Sequence, residues 1–125
     1  MLTNMQPVAT VAVSDLDKAR RFYEDKVGLA PPDSVDGPAL NYRCGGFLLL
    51  VYQSDYAGTN KATSVTWMVG EDIAEVVRKL GAKGIRFEHY DMPEVVREGD
   101  VHIFGPIKSA WFKDPDGNIH ALVNG

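Results

Sequence analysis

A segment near the C-terminus that reads as strand, turn and strand is the feature that most constrains the fold. Residues 111–123 have the sequence WFKDPDGNIHALV. Pro115 has a preset φ, Gly117 can adopt a positive φ, and an apolar run resumes at Ile119, which together predict a hairpin. Residues 41–52, NYRCGGFLLLVY, have the same layout of strand, glycine turn and apolar strand. The chain is therefore predicted to use one structural unit twice.

The first unit is predicted to have the element order β-α-β-β. Asp15, or the serine before it, is suited to cap a helix, and Gly28 is suited to end that helix. The sequence does not decide whether a further short strand lies within residues 29–35. The periodicity predicts a strand at residues 8–13, a helix at 16–27, and strands at 39–42 and 47–52.

The second unit repeats this order with one more strand. The charged residues 91–100 are predicted to form a loop. Because a unit of about sixty residues does not easily close its own core, we expect two modules, residues 5–53 and 63–124, to pack in a single domain spanning residues 1–125. The predicted elements are a strand at 64–69, a helix at 73–80, and strands at 85–88, 101–104, 107–112 and 119–123.

Composition narrows the class of protein and its partners. With 125 residues, 45% hydrophobic and 24% charged, the chain has the composition of a soluble globular domain. A net charge of -4 argues against a nucleic-acid or anionic membrane partner. Cys44 is the only cysteine, so no internal disulfide can form. The sequence contains neither a secretory leader pattern nor an apolar stretch of about 20 residues, and we expect a cytoplasmic protein.

Two motifs carry a resemblance to a known family. Residues 13–24 read VSDLDKARRFYE, with Gly28-Leu29 following, and residues 112–118 read FKDPDGN. In this order the motifs resemble the vicinal oxygen chelate superfamily, which includes glyoxalases, bleomycin-resistance proteins and extradiol dioxygenases. The resemblance implies an α+β fold in which two tandem βαβββ modules form a curved mixed sheet, with a concave cup and with helices on the outer face. It also implies a homodimer that covers exposed sheet edges.

The resemblance further implies a divalent metal held in the cup by His or Glu from the first and last strands of each module. The corresponding positions are Val8 and Ser64 on the opening strands and Leu49 and Ala121 on the closing strands. Apolar side chains offer no donor atom, and serine is not a usual ligand, so we expect no cofactor. His120 is adjacent to Ala121, but strand alternation directs it to the opposite, helix-covered face.

Four other candidate residues each have a chemical and a structural interpretation. His120 is either a ligand or base, or a histidine packed beneath a helix. His89 and His102, close to several acidic residues, are either a metal site in a loop or part of a solvated acidic loop. Cys44 is either a nucleophile or a structural residue. The structural interpretation is favoured because the spacings follow no known ligand pattern and Cys44 has no adjacent histidine or helix N-terminus.

The lining of the cup follows from strand alternation. The inner face is either a filled core or a hollow, and the small residues Ala12, Ser64, Thr66 and Ala121 favour a hollow. Ala12, Val51, Ile119 and Val123 are predicted to share that face, whereas Phe112 is predicted to lie beneath a helix on the other face. The predicted ligand-binding residues are Val8, Thr10, Phe47, Leu49, Ser64, Thr66, Met68, Trp111 and Ala121.

Three functional hypotheses follow. The leading one is a metal-free protein that binds a small apolar or aromatic molecule in the cup, as the resemblance to bleomycin-resistance proteins implies. The alternative is a metal-dependent lyase, isomerase or dioxygenase that acts on a small metabolite and uses His89, His102 or His120. The third is a structural or regulatory dimer without a ligand.

Overall fold

The first half of the chain forms a four-stranded sheet. The computed structural model describes all 125 residues. The strand order is β1-β4-β3-β2, with β1 parallel to β4 and the other pairs antiparallel. A helix, α1, joins β1 to β2 and continues directly into a π-helical turn. The bounds are β1 (Ala9–Val13), α1 (Leu16–Arg20), the π-helical turn (Arg21–Lys26), β2 (Ser34–Asp36), β3 (Ala39–Cys44) and β4 (Phe47–Gln53).

The second half forms a separate six-stranded sheet. Its order is β5-β10-β9-β8-β7, with β6 paired to β9, and β5 is parallel to β10. The bounds are β5 (Thr63–Met68), a 3-10 turn (Gly70–Asp72), α2 (Ile73–Ala82), β6 (Phe87–Glu88), β7 (Val96–Glu98), β8 (Val101–Phe104), β9 (Ile107–Lys113) and β10 (Ile119–Val123). The predicted α+β fold of two tandem modules is confirmed, with one sheet for each module. Neither helix is long and apolar enough to cross a membrane.

The ends of α1 follow from local sequence. Asp15 has an extended backbone and its carboxylate accepts a hydrogen bond from the Lys18 N–H at 3.0 Å, so it is the N-cap. Gly28 has a φ of +89° beyond the π-helical turn. There the Leu29 N–H donates to the Tyr23 carbonyl at 2.9 Å, which stops the helix.

Residues 91–100 are not entirely a loop. Val96–Glu98 forms β7 and pairs with β8, so the prediction of a loop was wrong for these three residues. The turn of this hairpin contains Gly99, whose φ is +61°. The short strand left open within residues 29–35 is present as β2, Ser34–Asp36.

Each sheet has one face covered by the helices, termed the helix-covered face, and one opposite face, termed the open face. The helix-covered faces of both sheets contribute to one hydrophobic cluster of 17 buried residues. Phe22 from the first module and Phe112 from the second have ring centroids 6.3 Å apart within it. Phe112 is 1% exposed, as its predicted position beneath a helix requires.

Leu49 and Val51 were predicted to line the cup, but both lie on the helix-covered face of the sheet. Both are buried, at 2% and 0% exposure, and they pair in register with Ala9 and Val11 on the helix-covered face. The prediction was wrong because β4 begins FLLLV, which is apolar at every position. Such a run has no alternation of apolar and polar residues that would identify its buried face.

Candidate functional site

An apolar groove separates the two sheets where β1 and β4 of the first module face β5 of the second. Its volume is about 460 Å³, and eight of its 11 lining residues are hydrophobic. Protein sites for small molecules are typically clefts of roughly 300–1,000 Å³ with mostly apolar walls. The lining residues are Pro7, Ala9, Cys44, Gly45, Phe47, Leu48, Leu49, Val65, Thr66, Trp67 and Met68.

The edge of β5 forms one wall of the groove. Four consecutive residues, from Val65 to Met68, line it, which means that side chains from both faces of the strand reach the cavity. This is possible because β5 pairs only with β10, leaving its other edge free of a hydrogen-bonded neighbour. The opposite wall includes Cys44, whose thiol pKa is raised by burial. A raised pKa disfavours the nucleophilic thiolate, in agreement with a structural role.

Four of the nine predicted ligand-binding residues line this groove: Phe47, Leu49, Thr66 and Met68. Phe47 and Met68 are 63% and 67% exposed, so the groove has uncovered apolar side chains on both walls. Isolated large apolar residues on a surface are common, but here they border one cavity.

The other five predicted residues lie elsewhere. Val8 and Thr10 are exposed, and Ser64 accepts a hydrogen bond from the Asn60 amide at 2.8 Å. Ala121 is paired in register with Thr66 on one side and with Trp111 on the other. These five residues do not line the groove. Thr66, which does line it, lies beside them because it is the register partner of Ala121.

Trp111 has aromatic neighbours of its own. Its ring lies 4.9 Å from that of His102 and 5.2 Å from that of Tyr90, nearly perpendicular to both. His102 is 3% exposed; its Nε2 accepts from the Tyr90 N–H, and its buried Nδ1 makes no hydrogen bond to the protein. Edge-to-face packing of this kind holds the Trp111 ring in place.

Trp67 is the largest of the seven groove residues that were not among the predicted ligand-binding residues. Its indole lines the groove, and its Nε1–H donates a hydrogen bond to His120 Nδ1 at 3.0 Å. Alternation along β5 places the Trp67 side chain on the other face of the strand from Thr66, so Trp67 was not among the predicted ligand-binding residues. Both faces of β5 reach the groove because the edge of this strand is unpaired. That edge results from how the two sheets are arranged, and nothing in residues 63–68 predicts it.

His120 belongs to a buried chain of hydrogen bonds. It is 0% exposed and stacks on Phe112 with centroids 4.8 Å apart. Because Trp67 donates to Nδ1, the proton of the neutral ring is on Nε2, which donates to the Tyr23 hydroxyl oxygen at 3.0 Å. Tyr23 in turn donates to Asp114 at 2.7 Å. Burial lowers the pKa of His120 to about 4, so the ring is neutral at pH 7. The predicted position of His120 on the helix-covered face is confirmed.

Asp114 joins the C-terminal hairpin to the first module. Its carboxylate accepts from Tyr23, from the N–H groups of Asp116 and Asn118, and from the Asn118 amide at 2.8 Å. Burial raises the pKa of Asp114 in spite of these hydrogen bonds. The Asn118 amide also donates to the Ala12 carbonyl of β1 at 2.7 Å. The DPDGN motif is thus a polar junction between the modules.

The residues at the implied metal positions do not fit a metal ion. Val8 and Ala121 have no donor atom, and Ser64 supplies one hydroxyl. Leu49 is apolar and lies on the helix-covered face, and its neighbours Leu48 and Leu50, on the open face, have no donor atom either. His120 has both ring nitrogens engaged in the buried chain. No group of three or more His, Cys, Asp or Glu residues is arranged to hold a metal ion.

His89 is engaged with its own neighbours on the surface. Its Nε2 lies 2.6 Å from an Asp100 oxygen, and Arg97 donates to its Nδ1 at 2.6 Å. With the guanidinium donating to Nδ1, the ring proton of neutral His89 is on Nε2. A cationic side chain at this distance would repel a metal ion, which agrees with a solvated polar cluster at His89. The prediction that His102 belongs to the same solvated loop was wrong, because His102 lies in β8 and is buried against Trp111.

The chain belongs to the Glyoxalase/Bleomycin resistance protein/Dioxygenase superfamily, whose family model matches residues 6–122. No curated protein sequence matches it.

Solved structures with the same fold include fosfomycin resistance proteins. Fosfomycin resistance protein FosX from Listeria monocytogenes, in its hexagonal crystal form, has a TM-score of 0.71 at 17% identity, covering 100% of this chain and 95% of that one. A glyoxalase/bleomycin resistance protein/dioxygenase from Alicyclobacillus acidocaldarius has a TM-score of 0.70 at 18% identity, covering 96% and 90%. An integron cassette protein from the mobile metagenome of the Halifax Harbour sewage outfall has a TM-score of 0.69 at 16% identity, covering 96% and 97%. At these identities the likeness establishes the fold.

Proposed function

We propose that this protein binds a small apolar or aromatic molecule in the groove between its two sheets, without a metal ion. The observation that carries the proposal is the groove itself, about 460 Å³ in volume and mostly apolar. Trp67 offers an aromatic surface for a ring, and Thr66 offers a hydroxyl that can orient a polar substituent.

The proposed contacts are those predicted residues that line the groove, together with Trp67. Phe47 and Met68 cover the ligand from opposite walls, and Leu49 forms part of the apolar lining. Burial of an aromatic ligand that fits the groove contributes several kcal/mol of binding free energy, at about 25 cal/mol per Å² of apolar surface. The entropic cost of association is then subtracted from this contribution.

The metal-free state is part of the proposal. Among relatives of the same fold, one structure of the Listeria FosX protein is described as a complex with Mn(II) and sulfate. In this chain the implied positions hold Val8, Leu49, Ser64 and Ala121, which do not supply a nitrogen or carboxylate shell. Elemental analysis of protein purified from metal-supplemented medium is expected to show far less than one Zn, Ni, Mn or Fe per chain. About one metal per chain would contradict this part of the proposal.

We further propose a homodimer. The exposed apolar side chains of Val8, Phe47 and Met68 near the groove, and the uncovered edges of β2 and β7, are surfaces that a second copy would cover. A dimer that covers the groove mouth would also shield a bound ligand from water.

The test is a thermal-shift screen of small aromatic compounds on protein treated with EDTA, followed by titration of the hits. Thr66→Phe fills the groove and is expected to weaken binding at least tenfold. Thr10→Phe is the matched control, because Thr10 is an exposed threonine that does not line the groove. Equal effects of the two variants, or an effect of Thr10→Phe alone, would place the ligand on the open face instead.

A further inference from the structure

A second apolar cavity lies on the helix side of the second sheet, between the end of the π-helical turn and α2. Its volume is about 140 Å³, and all eight of its lining residues are hydrophobic. We call it the inner pocket. Its lining residues are Val27, Leu29, Trp67, Val69, Val76, Leu80, Phe112 and Leu122.

The size and lining of the inner pocket define the chemistry that it accepts. A volume of about 140 Å³ has room for one group of about the size of a benzene ring, and six of the eight lining residues are only partly buried, so the pocket is open to solvent on one side. None of the lining side chains offers a free hydrogen-bond partner, because the only polar group among them, the Trp67 indole N–H, already donates to His120. The pocket therefore selects a compact hydrocarbon of about six heavy atoms.

Both modules build this pocket. Val27 and Leu29 come from the first module, and the other lining residues come from the second. Val27 directly follows the π-helical turn Arg21–Lys26, whose wider backbone determines where the helix ends. π-helical turns are rare and are frequently found at functional sites.

Trp67 is the wall that the inner pocket shares with the groove. The hydrogen bond from its Nε1 to the buried His120 fixes the ring between the two cavities. Occupation of either cavity changes the packing on one face of the same indole.

We propose that the inner pocket is a second binding site, specific for a compact nonpolar molecule or substituent of about the size of a benzene ring. The site is distinct from the groove, and it does not depend on the function proposed for the groove.

Benzene is the probe, and methyl NMR of ¹³C-labelled full-length protein is the measurement. Benzene is expected to produce saturable shifts of the Val76 and Leu80 methyl signals. Glycerol, which also has six heavy atoms but is polar throughout, is expected to give no saturable shift of these signals. Met68, which lines only the groove, reports separately on any benzene bound there.

Three variants separate the possible outcomes. Val76→Phe fills the pocket and is expected to reduce benzene affinity at least tenfold at Leu80, whereas Val76→Ala enlarges it and should retain binding of benzene and improve binding of toluene. Thr66→Phe, which fills only the groove, should leave the Leu80 response unchanged. The proposal is overturned if benzene gives no saturable shift at Val76 or Leu80, or if Thr66→Phe rather than Val76→Phe removes that shift. Loss of groove binding alone leaves this site unaffected.

Discussion

Acid should destabilise this protein through His120. Burial lowers the pKa of His120 from an ordinary value of 6.5 to about 4. Between these two values the unfolded chain binds a proton that the folded chain does not, so the free energy of unfolding decreases as the pH falls through this window. At about 1.36 kcal/mol per pKa unit, the titration of His120 lowers the free energy of unfolding by about 3 kcal/mol between pH 7 and pH 4. That is a large part of the 5–15 kcal/mol typical of a domain.

Asp114 acts in the opposite direction. Burial raises its pKa, so the folded chain takes up a proton on Asp114 before the unfolded chain does, and this offsets part of the loss as the pH falls. A non-titrating replacement is needed to isolate the histidine. His120→Gln provides one, since its amide offers an acceptor toward Trp67 and a donor toward Tyr23.

The assay is urea unfolding followed by far-UV circular dichroism at pH 7, 6, 5 and 4. Between pH 7 and pH 4 the wild-type protein should lose about 3 kcal/mol more than His120→Gln, although the variant is less stable at pH 7. Parallel pH dependence of the two proteins would refute the assignment of a buried, neutral His120.

Three further predictions test the network, the helix cap and the assembly. Tyr23→Phe removes the hydroxyl between His120 and Asp114 and should cost about 1–3 kcal/mol in urea unfolding, whereas Tyr56→Phe, at a residue 79% exposed, should have almost no effect. Asp15→Ala should cost about 1 kcal/mol by removing the N-cap, and Asp15→Asn should restore most of that loss; equal loss in both would contradict the capping role. Light scattering should give a mass of twice 13.7 kDa, and Phe47→Lys should shift it toward the monomer; a monomer at micromolar concentration would disprove the dimer.

The sequence predicted the features that depend on local pattern. Spacing and alternation predict Asp15 as a cap, Gly28 at the helix end, and opposite faces for Phe112 and Trp111. The structure has each of these features. The face of Leu49 was assigned wrongly because its strand is apolar throughout, so only pairing with β1 determines it. Period-two patterning is informative only where one face is polar.

The groove could not be predicted from either module alone. It exists because the edge of β5 is unpaired and faces residues of β1 and β4 from the other half of the chain. Trp67 therefore has a role that its strand position does not reveal, as a core residue that also forms a cavity wall. The hydrogen bonds of His120 to Tyr23 and Trp67 likewise join residues 97 and 53 positions apart.

The most direct test of ligand binding in the groove uses the two tryptophans separately. Trp111→Phe leaves Trp67 as the only tryptophan, and Trp67→Phe leaves Trp111. With a screened aromatic ligand and EDTA present, the Trp111→Phe protein should show saturable fluorescence quenching with the wild-type affinity, because Trp67 lines the groove. Quenching seen only in the Trp67→Phe protein, or only after a divalent metal is added, would contradict a metal-free site in the groove.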